Sequence, residues 1–284
     1  MRIALLEAST LKLTRKSNKN TSREFVIHKV IGNGAGCIAY RAIDADSRIP
    51  VIIKECFPRN SGIREKNGSI IWNSKDDENA AFERFTNAFN TQLIIQSSPE
   101  TMNTNTHLID DLYTGNNTLY SVSDIHNAKT YDLDKDTSLQ ELLITIRAIT
   151  RAVGEYHKLG YLHLDIKPQN ILILPETRDI IKLLDFDSVV KKADAIYPGT
   201  SISYTHEYAA PELLQGKRNK LCEATDIYSI GAILFKRIFE RNPAADDRGT
   251  FSDWNLSTVP LFKKLSNKTK RLTKELLNKT ISAS

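Results

Sequence analysis

Cysteine is scarce in this chain of 284 residues. The three present, Cys37, Cys56 and Cys222, are odd in number and far apart. That excludes a disulfide framework and the close pairing of a structural zinc site, and it favours a reducing, cytoplasmic location. Long apolar runs are missing too: nothing approaches the ~20 residues a membrane-spanning helix needs, so no membrane partner is expected. The first twenty-five residues carry basic side chains without the apolar block of a signal peptide. A dominant charge is also absent, since 39 Lys and Arg against 34 Asp and Glu leave +5, much of it near Lys12–Arg23 and Lys263–Lys279. With no helix-turn-helix, zinc-finger or RNA-binding aromatic signature beside them, these stretches read as solvated surface, and no nucleic-acid partner is expected. What is present is ordinary globular composition, 40% hydrophobic and 26% charged, enough for one large domain or two small lobes.

Two kinds of periodicity follow one another. Short β-rich runs come first, over Phe25–Ile31, Ile38–Ile43, Pro50–Cys56 and Ser69–Trp72, then a helical stretch over Glu78–Gln96 and a closing strand over Leu119–Ile125. After it, Leu139, Leu142, Leu143, Ile146, Ile149, Val153 and Tyr156 recur at helical spacing, and Gly160 stands where that helix should stop. Ile171–Leu174 and Ile180–Leu184 flank the turn-like Pro175–Asp179 and predict a hairpin. Ala224–Phe239 reads as an apolar helix and Leu261–Leu277 as an amphipathic one. The order predicts a small β-rich lobe over residues 1–124, then a larger helical lobe over 125–284.

The chemistry concentrates in His163-Leu164-Asp165-Ile166-Lys167-Pro168-Gln169-Asn170, between the long helix and the hairpin. An aspartate can accept a hydroxyl proton, a lysine two residues on can neutralise phosphate charge, and an asparagine carbonyl can serve a hard cation. Those are the needs of phosphoryl transfer. Asp185-Phe186-Asp187 ends the second hairpin strand and returns a carboxylate toward that loop, with Asp185 the natural magnesium ligand. Upstream, Gly32, Gly34 and Gly36 sit between two strands, where backbone amides can approach phosphate oxygens. Lys54 closes the β-branched run Val51-Ile52-Ile53 and would meet the α- and β-phosphates.

In these residues the chain resembles the eukaryotic-type protein kinase family in its bacterial version, over roughly residues 25–240. Gly32 and Gly34 match its glycine-rich loop, Lys54 its strand lysine, His163–Asn170 its catalytic loop, and Asp185-Phe186 the start of its magnesium-binding triplet. Ala210-Pro211-Glu212 matches the close of the activation segment, and Asp226 the aspartate that braces the catalytic loop. The resemblance implies an α+β, two-lobed kinase fold using ATP and Mg2+ on a protein substrate. Asp165, Lys167 and Thr205 would be catalytic; Asn170 and Asp185 would hold the metal. Gly32, Gly34, Gly36, Lys54 and Asp124 would bind nucleotide, Leu119–Asp124 leading into the hinge that reads adenine, with Ser123 near the gatekeeper position. Thr205, three residues before Tyr208, matches the threonine that marks Ser/Thr kinases.

The departures shape the alternatives. Cys37 stands where a third glycine is expected, Ala39 replaces the valine roofing adenine, and Asp187 replaces the triplet glycine. The glutamate that should pair with Lys54 has no counterpart in Ala88–Gln92, and Glu83 is the nearest acid. Leu164 replaces the arginine that receives an activation-loop phosphate, so phosphorylation is not expected to be the main switch. No arginine stands in the family's place to pair with Glu212, leaving Arg248 or Arg271 as substitutes. The chain ends soon after its last helix, which implies either further domains outside it or a minimal C-lobe. The alternative functions are a pseudokinase serving as a nucleotide-binding interaction module and a kinase-fold enzyme acting on small molecules.

Overall fold

Alternating burial along the strands builds the first part of the computed structural model, which describes residues 2–98, 109–124, 129–131, 138–173, 181–200, 202–243 and 267–281. The described residues fall into two compact units, one from Met1–Gln96 and His107–Asn127, the other from Ser97–Thr106 and Ala128–Ser284. In the first, β1 (Thr10–Arg15), β2 (Ser22–Asn33), β3 (Cys37–Asp44) and β4 (Pro50–Cys56) run antiparallel. A two-stranded ribbon follows, β5 (Gly62–Arg64) with β6 (Ile70–Trp72), then α1 (Lys75–Gln96), β7 (Ile109–Gly115) and β8 (Thr118–Asp124). The large sheet closes in the order β1-β2-β3-β4-β8-β7. Closure removes both sheet edges. Leu11, Leu13, Phe25, Ile27, Tyr40 and Ile53 are among the side chains that fill its interior.

The closing strand β1 escapes the periodicity reading, because Leu11 and Leu13 are its only apolar residues and basic ones surround them. Its partner β7, met at Thr14↔Thr114 and Arg15↔Tyr113, lies about a hundred residues along. Gly115 makes the approach possible: a Cβ there would come within 2.7 Å of Leu13 Cδ2 and 3.1 Å of Lys12 O. The basic stretch Lys12–Arg23 is thus partly structural, which corrects the expectation of a solvated surface. Arg23 donates to Asp44 from Nε at 2.9 Å and to Tyr113 Oη at 3.1 Å.

Asp44 is buried, and burial alone would raise its pKa. The Ser47 N–H and the Arg23 guanidinium outweigh that and hold it below 3.8. A depressed carboxylate stabilises the fold above its unfolded pKa and loses that contribution as pH falls through its folded one. Asp44→Asn is therefore expected to cost about 1–3 kcal/mol at neutral pH. In urea unfolding the difference from the unaltered chain should shrink steadily below pH 3.8. A pH-independent difference would show that the carboxylate charge is not what matters.

Helix α1 begins three residues before the predicted Glu78, where the Ser74 hydroxyl accepts from the Asp77 N–H at 3.1 Å. Ala81, Phe85 and Phe89 pack with Cys56, Leu112 and Leu119 on the outside of the barrel.

The second unit is mainly helical. Its small strands are β9 (Lys129–Thr130), β10 (Tyr161–Leu162), β11 (Ile171–Ile173), β12 (Ile181–Leu183) and β13 (Val190–Lys191). Its helices are α2 (Leu139–Lys158), α3 (Pro211–Leu214), α4 (Glu223–Phe239) and α5 (Asn267–Ile281). Helix α2 starts at a reciprocal cap: the Glu141 N–H donates to Ser138 Oγ at 3.2 Å and the Ser138 N–H to Glu141 Oε2 at 3.0 Å. It ends at Gly160, whose φ of +78° a glycine adopts without penalty. The predicted hairpin is β11 with β12; its turn at Pro175–Asp179 and residues 261–266 of the last predicted helix lie outside the described residues. Among the described residues no helix is long and apolar enough to cross a membrane.

Candidate active site

The loop from His163 to Asn170 leaves β10 and turns through a short 3-10 helix, Pro168–Asn170, started by proline. This turn swings Asn170 back onto Asp165. Asn170 Nδ2 donates to the Asp165 backbone oxygen at 2.9 Å and to Asp165 Oδ2 at 3.2 Å. Lys167 Nζ donates to the same Oδ2 at 2.7 Å and to Thr205 Oγ1 at 2.8 Å. Asp165, Lys167, Asn170 and Thr205 thus form one hydrogen-bonded group across a sequence span that ends in a different loop. The other carboxylate oxygen, Asp165 Oδ1, is buried without a hydrogen-bond partner. An ionised carboxylate with one oxygen held and one unspent is suited to accepting a proton.

What holds the loop is Asp226, in the first turn of α4 and fully buried. Its Oδ2 accepts from the His163 N–H and from His157 Nε2, and its Oδ1 from the Leu164 N–H, each at 2.8 Å. Leu164 has φ +62°, a left-handed conformation that costs a branched side chain on the order of 1–3 kcal/mol. The two N–H bonds to Asp226 and the burial of Leu164 offset that cost. Leu164 packs with Ala195, Ala209, Leu213 and Leu221, so the leucine that replaces the expected arginine is a core residue beneath the following segment. His163 Nδ1 accepts from the Asp165 N–H at 3.4 Å, which assigns Nε2–H as donor to Leu184 O at 3.2 Å. Phe186 stacks on Tyr156 at 5.8 Å, and Tyr156 in turn meets the His163 ring at 6.0 Å.

The hairpin register brings the second carboxylate close. The Leu184 N–H donates to Asn170 O at 2.8 Å, so Asp185 emerges beside the end of the loop, with φ +66°. Asn170 and Asp185 offer hard amide and carboxylate oxygens from neighbouring chain ends. This donor set suits Mg2+, which takes few protein ligands and completes its shell with water and phosphate. The Asn170 NH2 is spent on Asp165, which leaves its amide oxygen as the group to offer a cation. Asp187 is exposed.

Sequence reading missed Thr225. Its Oγ1 donates to Glu212 at 2.6 Å, while Arg271 faces Glu275 on its own helix at 3.7 Å and Arg248 lies outside the described residues. A hydroxyl thirteen residues from the glutamate leaves no local signal.

The other candidates belong to the first unit. Gly32 pairs with Ala39 at the end of β2, and Gly34–Gly36 form the exposed turn into β3. Lys54 lies on β4 between Ala39 and Ser121, half-buried and on the face opposite Ile53 and Glu55. Asp124 ends β8 opposite Val51, and Ser123 Oγ donates to Ile52 O at 3.4 Å. Glu83 is on the exposed face of α1, whereas Gln92 shares the one-turn spacing of Phe85 and Phe89.

A barrel carrying a glycine turn and a strand lysine, and a helical unit carrying a braced aspartate loop, together define a kinase-type catalytic domain. The chain belongs to the protein kinase family: the family profile described as protein kinase domain matches residues 25–283. It is 33% identical over 131 residues to a probable myosin light chain kinase of Dictyostelium discoideum, a match covering 46% of this chain and 38% of that one. It is 31% identical over 132 residues to a serine/threonine-protein kinase of Arabidopsis thaliana, covering 46% of this chain and 27% of that one. The chain thus spans less than half of either relative. The solved structure titled PpkA-294 apo form shares the fold, with a TM-score of 0.62 at 22% identity and 89% of both chains covered.

Proposed function

We propose that this chain is a Ser/Thr protein kinase that transfers the γ-phosphoryl group of ATP to protein hydroxyls with Mg2+. The observation that carries the reading is the Lys167 ammonium shared between Asp165 Oδ2 and Thr205 Oγ1. In the proposed reaction Asp165 Oδ1 takes the proton of the acceptor hydroxyl as its oxygen bonds to the γ-phosphorus and the bond to the ADP oxygen breaks. Lys167 holds Asp165 in place and offsets charge on the phosphoryl oxygens. Asn170 and Asp185 hold Mg2+, which when bound neutralises phosphate charge. In the first unit, residues up to 124 serve the nucleotide: Gly32, Gly34 and Gly36 through backbone amides, Lys54 through its ammonium and Asp124 through the adenine-reading hinge. The residues from 125 onward carry the catalytic loop, the metal ligands and the activation segment. Thr205 and the likeness to a serine/threonine-protein kinase of Arabidopsis thaliana support Ser/Thr acceptors.

Leu164 supports activity without prior phosphorylation. Its apolar packing holds the segment that an arginine would hold only through a phosphate.

The test is incubation of the purified chain with labelled ATP and Mg2+, using itself and a basic protein as acceptors. Label on serine or threonine, lost when Mg2+ is omitted, is the expected result. Label confined to tyrosine would overturn the acceptor class, and Mg2+-dependent ATP binding without transfer would favour the interaction module. Phosphatase treatment beforehand is expected to leave transfer intact. Near-complete loss, recovered by autophosphorylation within Thr200–Thr205, would overturn the role given to Leu164.

A further inference from the structure

The residues ahead of β1 are anchored to the barrel at several points. Ala4 and Leu5 pack against its core, and the Leu5 N–H donates to Tyr40 Oη at 3.1 Å. Ile3 O accepts from Arg64 Nε at 2.8 Å, and the Ala8 N–H donates to Ile27 O at 2.8 Å. This course brings Arg2 to the glycine turn between β2 and β3. Its guanidinium donates to Gly34 O at 2.6 Å and Ala35 O at 3.5 Å, and also to the Asn33 side-chain oxygen and Phe57 O. A second arginine grips the same turn. Arg59 Nη2 donates to Asn33 O at 3.1 Å, and the Arg59 N–H to Ala35 O at 2.9 Å.

Three consecutive carbonyls, those of Asn33, Gly34 and Ala35, are therefore held by two arginines. The described peptide bonds are trans, and in a trans unit the C=O and the following N–H point in opposite directions. The N–H groups of Gly34, Ala35 and Gly36 are thus turned away from the arginines. Successive amides displayed together form an anion-binding nest, and carbonyl oxygens kept off that side do not repel a phosphate. Space around Gly34 does not impose this shape: a Cβ there would meet nothing closer than Cys37 O at 3.8 Å, an ordinary contact. A turn this rich in glycine has much conformational freedom to lose, and the arginines supply the constraint. Burial and the neighbouring Arg59 lower the Arg2 pKa, as expected for two cations held side by side.

We propose that Arg2 and Arg59 form a clamp that pre-shapes the glycine turn for a polyphosphate, with Arg2 a positioning residue acting through the amides of Gly34, Ala35 and Gly36. The inference rests on the ATP reading above and adds to it a device for holding the loop.

The test compares binding of Mg-ATP and of adenosine, which lacks phosphates, to the full chain and its variants by calorimetry. Amide hydrogen exchange of residues 34–36 is followed without nucleotide. Arg2→Ala is expected to weaken ATP about tenfold, leave adenosine within about twofold and speed exchange about tenfold. Arg2→Lys should fall between, because one ammonium cannot span the acceptors a guanidinium reaches. Unchanged ATP affinity would overturn the clamp, as would equal weakening of ATP and adenosine with a lowered melting temperature, the mark of a merely structural role. If the unaltered chain bound no nucleotide the ATP reading would fall, and hydrogen exchange would then decide the clamp alone: unchanged exchange in Arg2→Ala overturns it, faster exchange upholds it.

Discussion

Replacing Asp165 with asparagine is expected to slow phosphoryl transfer by about 10²–10⁴-fold while leaving ATP affinity and the melting temperature close to those of the unaltered chain. The side chains are nearly isosteric. An asparagine oxygen can still accept from Lys167, which is partly exposed and so tolerates loss of its counter-charge. What is lost is the second oxygen, the buried Oδ1 without a partner, which becomes an NH2 that cannot take a proton. The backbone bonds from Asp226 to His163 and Leu164 do not depend on Asp165, so the loop should keep its shape. Single-turnover transfer measured beside equilibrium ATP binding separates the two effects. A loss below about tenfold would mean that proton acceptance by Asp165 contributes little to the rate-limiting step.

Glu55→Ala is expected to be the most damaging single change in the barrel, costing about 3–5 kcal/mol. Glu55 follows Lys54 on β4 but points the other way, and it is fully buried in the barrel interior. It accepts from Tyr40 Oη at 2.7 Å, from Tyr120 Oη at 2.6 Å and from the Arg64 guanidinium. Burial, then the Glu55 charge, raises the pKa of both phenols, so they remain donors throughout the usual pH range. Arg64 is itself only 5% exposed along its side chain and stacks over Phe57 at 5.2 Å. Removing the carboxylate leaves a buried guanidinium without its counter-charge and two buried hydroxyls without their acceptor. Against a typical total stability of about 5–15 kcal/mol, that loss is large. Glu55→Gln, which keeps an acceptor but no charge, should cost less. Urea midpoints rank the three chains, and a cost near zero for Glu55→Ala would show that the cluster is no net support. Because Arg64 also holds Ile3 O and Tyr40 accepts from the Leu5 N–H, the same substitution should loosen the segment that carries Arg2.

Local signals were legible where a residue's neighbours in the chain decide its structure. The β-branched run in Pro50–Cys56 predicts β4 to the residue, and the 3.6-residue spacing from Leu139 with Gly160 beyond it predicts α2 within one residue. The spacing of Asp165, Lys167 and Asn170 suffices because a short turn started by Pro168 returns the third residue to the first. Strand β1 is different. Two leucines among basic residues bury nothing by themselves, and the strand exists because β7 pairs with it and Gly115 lets it approach.

The amino-acid sequence by itself thus determined the β-then-helical order, the catalytic-loop spacing and the protein kinase family. Only the tertiary structure decided which side of β4 receives Glu55, which hydroxyl meets Lys167, what holds Glu212 and Leu164, and where Arg2 ends. The physical reason is the same in each case. A buried charge, a left-handed leucine or a barrel-closing strand is tolerated only when groups distant in the chain satisfy it, and no local pattern records that partner.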